Sequence, residues 1–222
     1  MRQRQDTEMA LNWQQHLTAD GSWLQVVSAP ADTITRPALF LDRDGVVVEE
    51  IHFLHKVEEL RVIEGAVDII ARARDADWYI VLVTNQSGIG SGYYDWPDFA
   101  TIHRALRQTL IHQGTDFHMV LACPHHPDGV GRYQHPNHPW RKPNPGMLQA
   151  AARALPIDLR HSWIIGDRIT DLQAGHRAGL AGGIHVLTGH GRNERTKVKS
   201  EIWGRFEVKH ADSIGSAALL LD

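Results

Sequence analysis

The sequence predicts an α/β protein of three layers: an open, doubly wound, mainly parallel sheet with helices on both faces. Three observations predict it. Short, nearly continuous apolar runs recur along the chain, segments of helical period separate them, and polar or glycine-containing clusters close them. Unbroken apolarity over four or five residues fits strands buried on both faces, as parallel strands are. Strand alternating with helix then implies right-handed crossovers that lay helices on either side.

Taken in order, residues 1–36 read as a separable N-terminal extension. It holds a short helix over 9–17, an extended segment over 23–27 and a turn at 29–32. Residues 37–222 form the main domain, with strands expected at 38–41, 79–83, 118–121, 163–165 and 183–187. Segment 65–74 puts Ala66, Ile69, Ile70 and Ala73 on one helical stripe, and 98–112 does the same with Ile102, Leu106 and Leu110. Asp98 is placed to cap the second of these. Segments 146–155 and 171–178 are shorter helices. About 40 residues separate Asp42 from Thr84, and fewer than 60 separate Thr84 from Lys142. Helices and strands already use these gaps, so no separate cap domain fits in them.

Composition narrows the function classes. With 42% hydrophobic and 22% charged residues, the 222-residue chain is a globular protein and not a disordered or fibrous one. No apolar run approaches the roughly 18–20 residues of a membrane span, and the first residues lack the apolar stretch of a secretory signal. One cysteine rules out an internal disulfide, which favours a reducing compartment. A cytoplasmic location is the expectation. The net charge of −3 argues against nucleic-acid and membrane partners. A monomer is expected, with a dimer left open.

Ligands of doubly wound sheets sit beyond the carboxyl ends of the strands. After the first run comes Asp42-Arg43-Asp44-Gly45, whose two carboxylates point to the same side of extended backbone. One can serve as nucleophile and the other as acid and base. Taken alone, a solvated Asp-Gly turn explains the pair equally well. After the second run, Thr84-Asn85-Gln86-Ser87-Gly88 offers hydroxyl, amide and N–H groups to phosphate oxygens, or simply makes a turn. Arg141-Lys142 supplies two cations, a pair that is ordinarily solvated surface. Gly166-Asp167 and Asp171 add carboxylates, although Asp171 also suits a helix N-terminus. Together these groups offer oxygen ligands for Mg²⁺, cations for an anion and a carboxylate nucleophile. That combination suits phosphoryl transfer to a small-molecule substrate.

The same residues resemble the haloacid-dehalogenase-like (HAD-like) phosphatases. Phe40-Leu41-Asp42-Arg43-Asp44-Gly45, Val83-Thr84-Asn85, Lys142, and Gly166-Asp167 with Asp171 match the family's four motifs in order. Within the family, the stretch over 38–189 is similar to the branch of heptose-bisphosphate and histidinol phosphatases. Thr84-Asn85-Gln86-Ser87-Gly88-Ile89, Cys123-Pro124-His125-His126-Pro127 and Arg141-Lys142-Pro143 carry that likeness. The resemblance implies a Rossmannoid fold and a Mg²⁺-dependent phosphomonoesterase with an aspartyl-phosphate intermediate. The implied substrate is a heptose 1,7-bisphosphate that loses its 7-phosphate in lipopolysaccharide or surface-glycan precursor synthesis. By resemblance, Asp42 attacks phosphorus, Asp44 is the acid and base, and Thr84 and Lys142 hold the phosphoryl group. Asp42, Asp44 (through its carbonyl) and Asp167 would bind Mg²⁺, backed by Asp171. Arg43, Asn85, Gln86, Ser87, Arg141 and Arg168 would contact substrate, with Glu50, His52 and Phe53 as candidates for the sugar. Ser91 stands where the branch often has Arg, so one bidentate phosphate contact is lost.

The segment over 123–146 holds six of the ten prolines and no recognisable helix or strand. Long structureless stretches in compact domains are usually functional or stapled. Cys123, His125, His135 and His138 offer the sulfur and imidazole ligands that Zn²⁺ takes, usually four in a tetrahedron. The branch carries zinc on Cys-x-His and Cys-x-Cys pairs. Its second pair aligns with His138 and Trp140, and His135 is the candidate replacement. Solvated histidines on a relic loop are the plain alternative. Histidinol-phosphate hydrolysis, a polynucleotide 3′-phosphatase and a non-catalytic sugar-phosphate sensor are the rival functions, to be separated by substrate profiling.

Overall fold

The computed structural model describes residues 12–218. Seven strands form one sheet: β1 (Trp23–Val26), β2 (Ala38–Leu41), β3 (Tyr79–Asn85), β4 (Met119–Cys123), β5 (Trp163–Gly166), β6 (Gly182–His185) and β7 (Glu207–His210). Their order is β1-β4-β3-β2-β5-β6-β7, with only β1 antiparallel to its neighbour. Side chains of β2 to β5 alternate between two cores, as the period of a strand requires. Leu39, Leu41, Ile80, Leu82, Val120 and Ile165 join one, and Phe40, Val81, Val83, Leu121 and Ile164 join the other.

The first core is covered by α1 (Ala66–Asp75) and by α3 (Trp96–His112), which follows the short α2 (Ser87–Gly90). The second is covered by α4 (Gly146–Ala154), α5 (Ile169–Ala178) and α6 (Gly191–Ser200), before the final short α7 (Ile214–Ala217). The predicted three-layer arrangement is therefore present. Between β2 and β3 lie one 3₁₀ turn (Val57–Glu59) and α1, which is too little for a cap domain.

Several details differ from the sequence reading. The cap of α3 is Asp95, whose side chain accepts from the Asp98 N–H while Asp98 accepts from the Asp95 N–H. Two polar-rich elements, α6 and β7, were not anticipated. Of the helix expected over 9–17, residues 13–16 form a 3₁₀ turn, and residues before 12 lie outside the described part. The segment at 23–27 becomes edge strand β1, paired with β4. Trp23 there is 2% exposed and packs against Trp96 and Phe99, with ring centroids at 5.6 and 5.2 Å.

Candidate active site

Central strand β2 lies between β3 and β5 in parallel register, so all three deliver their carboxyl ends to one place. Asp42 follows β2, Thr84 and Asn85 end β3, and Asp167 follows β5. Asp42, Thr84 and Asn85 line a cavity of about 450 Å³. Its wall includes Asp42, Asp44, Thr84, Lys142 and Asp171, together with Arg43, Glu50, His52, Phe53, Asn85, Gln86, Ser87, Arg141 and Arg168. Asp167 sits behind this wall, 1% exposed.

Lys142 organises the floor. Its Nζ lies 2.8 Å from Asp42 Oδ1 and 2.6 Å from Asp171 Oδ1, and it donates to the Val83 carbonyl at 2.9 Å. Asn85 holds the lysine's backbone from both sides: its Oδ1 accepts from the Lys142 N–H and its Nδ2 donates to the Lys142 carbonyl, each at 3.1 Å. Asp42, Asp167 and Asp171 each bring a carboxylate oxygen within 4.8 Å of the others. Asp167 Oδ2 accepts from the His190 N–H at 2.7 Å, while its buried Oδ1 has no partner. Three buried carboxylates converging with an unsatisfied oxygen fit a hard divalent cation. Gly45, at φ +79°, admits this packing, because a Cβ there would lie 2.5 Å from Asp167 Oδ2.

Several of the expected substrate contacts are engaged within the protein, Arg141 among them by donating to the His125 carbonyl at 3.0 Å. Arg43, 2% exposed, donates from Nε and one terminal nitrogen to the two oxygens of Asp44, each at 3.0 Å, and to Gln86 Oε1. Gln86 Nε2 donates to Asp44 Oδ2 and Thr84 Oγ1, and the Tyr94 hydroxyl donates to Gln86 Oε1. Arg43 and Gln86 therefore brace Asp44, and Asn85 braces Lys142. The sequence reading missed His126, Thr170 and His190, which also line the cavity. The His190 ring faces Glu50 at 3.6 Å.

A second cluster forms in the proline-rich segment. The His125 and His138 rings stack at 3.7 Å, Cys123 Sγ lies 3.7 Å from His138 Nδ1, and the His135 ring is 5.1 Å from that of His138. The ligand atoms that lie within 4.8 Å of one another belong to Asp20, His125 and His138. Of the four residues grouped from the sequence, that set contains His125 and His138, while Cys123 and His135 lie beside it.

Comparison with known proteins agrees with this geometry. A family model described as HAD-hydrolase-like matches residues 139–210. A D-glycero-beta-D-manno-heptose-1,7-bisphosphate 7-phosphatase of Mesorhizobium japonicum is 42% identical over 167 residues, 75% of this chain and 77% of the relative. A D-glycero-alpha-D-manno-heptose-1,7-bisphosphate 7-phosphatase of Photorhabdus laumondii is 36% identical over 71% of this chain and 86% of its own. Among solved structures, a putative HAD-like phosphatase from Mesorhizobium loti superposes with a TM-score of 0.82 at 36% identity, covering 93% of this chain and 94% of that one. The chain belongs to the HAD-like phosphatases. A second HAD-like structure, the D,D-heptose 1,7-bisphosphate phosphatase of B. bronchiseptica, was solved with magnesium and phosphate. It matches with a TM-score of 0.71 at 32% identity, covering 83% of this chain and 97% of that one.

For a HAD-like phosphatase the electrostatics of the floor have a measurable consequence. Burial pushes Asp42 up to about 7, against the pull of Lys142 and with Asp171 adding to the rise. Burial, then Asp171 and Asp42, push Asp167 up to about 8. A carboxyl with a raised folded pKa contributes stability that is complete below its unfolded value and lost as pH climbs through the folded one. Metal-free protein should therefore lose stability between about pH 4 and pH 8, and Mg²⁺, which selects the ionised carboxylates, should stabilise it more as pH rises. Thermal unfolding at mildly acid and mildly alkaline pH, with and without Mg²⁺, checks this. A Mg²⁺ effect that shrinks with rising pH would contradict it.

Proposed function

We propose that the protein is a Mg²⁺-dependent phosphomonoesterase that removes the 7-phosphate of D-glycero-D-manno-heptose 1,7-bisphosphate through a phosphorylated Asp42. The observation that carries this reading is Asp42 at the cavity floor, paired with Lys142 and adjoining Asp167 and Asp171. When bound by Asp42, Asp167 and the Asp44 carbonyl, with Asp171 behind, Mg²⁺ supplies positive charge against the phosphate oxygens. Lys142 and Thr84 hold the same oxygens, offsetting repulsion between a phosphate dianion and a carboxylate nucleophile.

In this reading Asp42 forms a bond to phosphorus as the ester P–O bond breaks, and Asp44 gives its proton to the departing sugar oxygen. Asp44 then takes a proton from water, which attacks phosphorus and releases phosphate and free Asp42. The brace of Arg43 and Gln86 keeps the Asp44 carboxylate oriented for both steps. Arg141 and Arg168 supply positive charge at the rim for the second phosphate, with the imidazoles of His126 and His190 beside them as hydrogen-bonding groups. Glu50, His52 and Phe53 face the sugar; Phe53 stacks on Tyr93 at 4.2 Å. We place the reaction in the cytoplasm, in surface-glycan precursor synthesis, and assign a monomer of a 37–222 domain with a 1–36 extension.

Glu50, an exposed residue in the cavity wall, also suits the amine of histidinol phosphate, which is the second reading. Initial rates with Mg²⁺ on heptose 1,7-bisphosphate, hexose phosphates and histidinol phosphate separate the two. The proposal predicts a kcat/KM for the heptose bisphosphate at least about tenfold above the rest, the discrimination that about 1.4 kcal/mol of distal contact supplies. Equal rates on simple hexose phosphates would overturn the substrate assignment. Zinc in the 123–146 segment belongs to the same reading, since the buried imidazoles of His125 and His138 adjoin further donors there.

A further inference from the structure

We propose that His185, held in a single tautomer by Arg195, is a positioning residue that sets Asp167 for Mg²⁺. This rests on the reading that Asp42 and Asp167 hold the ion, and it names what orders the second of them.

The first support is a polar residue at a core position. His185 ends β6 and is wholly buried, on the same face of the strand as Gly183, whose neighbours Ile164 and Leu172 belong to the second core. An apolar side chain would fill that place without the cost of burying an imidazole. Both ring nitrogens are engaged: Nε2 lies 3.0 Å from the Asp167 carbonyl oxygen, and Arg195 Nε donates to Nδ1 at 3.0 Å.

The second is that both partners demand one tautomer. A guanidinium only donates, so Nδ1 must be bare; a carbonyl only accepts, so the proton sits on Nε2. Arg195 is itself anchored, because a terminal nitrogen donates to the carbonyls of His185 and Ala211 at 3.4 and 3.2 Å. The ring can neither flip nor move its proton without losing both side-chain bonds.

The third is what this does to Asp167. The His185 bond holds its carbonyl and the His190 N–H holds Oδ2, which leaves the buried Oδ1 as its unpaired oxygen. Glu194, beside Arg195 on α6, accepts from the Ile169 N–H at 3.4 Å. Helix α6, with little apolar surface to bury, therefore grips the turn between β5 and α5 that carries Asp167. Groups that orient a metal ligand in this way are worth about 10–100-fold in metal affinity.

The test is Mn²⁺ binding to the full-length protein, read from loss of the free-ion electron paramagnetic resonance signal and its return on adding Mg²⁺. Thermal unfolding without metal shows that each variant is folded. The wild type should bind Mn²⁺ that Mg²⁺ displaces, and Asp167→Asn should lose it. His185→Leu lacks the donor at similar volume and should bind at least about tenfold more weakly. His185→Gln returns an N–H toward the Asp167 carbonyl and should recover most of that loss. Arg195→Met, at a half-buried position on α6, releases the tautomer and should weaken binding in the same direction by a smaller factor. If His185→Leu does not fold, Arg195→Met decides. A wild type without Mg²⁺-displaceable Mn²⁺ would overturn the Mg²⁺ reading and this inference together. Loss of the ion in Asp167→Asn, with wild-type affinity in His185→Leu and Arg195→Met, would overturn the inference alone. A loss in His185→Gln as large as that in His185→Leu would reduce the histidine to a packing residue and overturn it as well.

Discussion

Asp42→Asn is expected to lower kcat by at least about 10³-fold, because the amide keeps the shape of the carboxylate but offers no anionic oxygen to phosphorus. It also removes a proposed Mg²⁺ ligand. Stability should move the other way. Asp42 is buried, and its carboxyl prefers the neutral state up to about pH 7. A neutral amide at this position avoids the cost of burying a charge, so metal-free Asp42→Asn should equal or exceed wild type in thermal stability above neutral pH. Measuring turnover and unfolding on the same sample separates loss of the nucleophile from loss of the fold. Residual turnover near the wild-type level would remove Asp42 from the mechanism.

Lys142→Met should damage both properties. The ammonium is 1% exposed and contacts two carboxylates, Asp42 and Asp171, the second wholly buried. Burial alone would depress its pKa, but Asp171 and Asp42 outweigh burial and hold it above the ordinary lysine value. Removing the cation strands two acids in a dry pocket, and breaking a buried ion pair costs about 3–5 kcal/mol. The loss should be larger at alkaline than at mildly acid pH, because a protonated Asp42 needs no partner. The double variant Lys142→Met, Asp171→Asn should recover part of the stability and none of the activity, since the phosphoryl oxygens still lack their cation. Chemical denaturation of the two single variants and the double variant gives the coupling directly. Independent, additive losses would contradict the arrangement.

How far the sequence reveals this protein depends on what each residue's role requires. Strands β2 to β6 were legible because a strand covered on both faces must be apolar throughout, as Ala38–Leu41 and Tyr79–Asn85 nearly are. Edge strand β7, Glu207–His210, has no such requirement and carries charge, so no pattern marks it. Helix α6 buries only Gly191 and Val198, which leaves too short an apolar stripe to read. Asp42, Thr84, Lys142 and Asp167 were found because each follows or ends an apolar run or sits in a dense motif.

Which way a polar side chain turns is a different matter. Arg43, Asn85 and Gln86 stand where substrate contacts were expected, yet their hydrogen bonds run to Asp44 and Lys142. Spacing along the chain does not encode that choice. Asp20 lies over a hundred residues before its two histidine neighbours and in a different segment, so only the pairing of β1 with β4 brings it near them. His190 was likewise invisible, because its role follows from the loop after β6 returning over Asp167.

The central claim is that a phosphoryl group passes through Asp42. Borohydride reduces an acyl phosphate to the corresponding alcohol, so quenching the enzyme with it during turnover, followed by peptide mass mapping, tests that claim most directly. The account predicts homoserine at position 42, formed only when substrate and Mg²⁺ are both present. Full turnover with position 42 left unreduced and the reduced residue found elsewhere would contradict it.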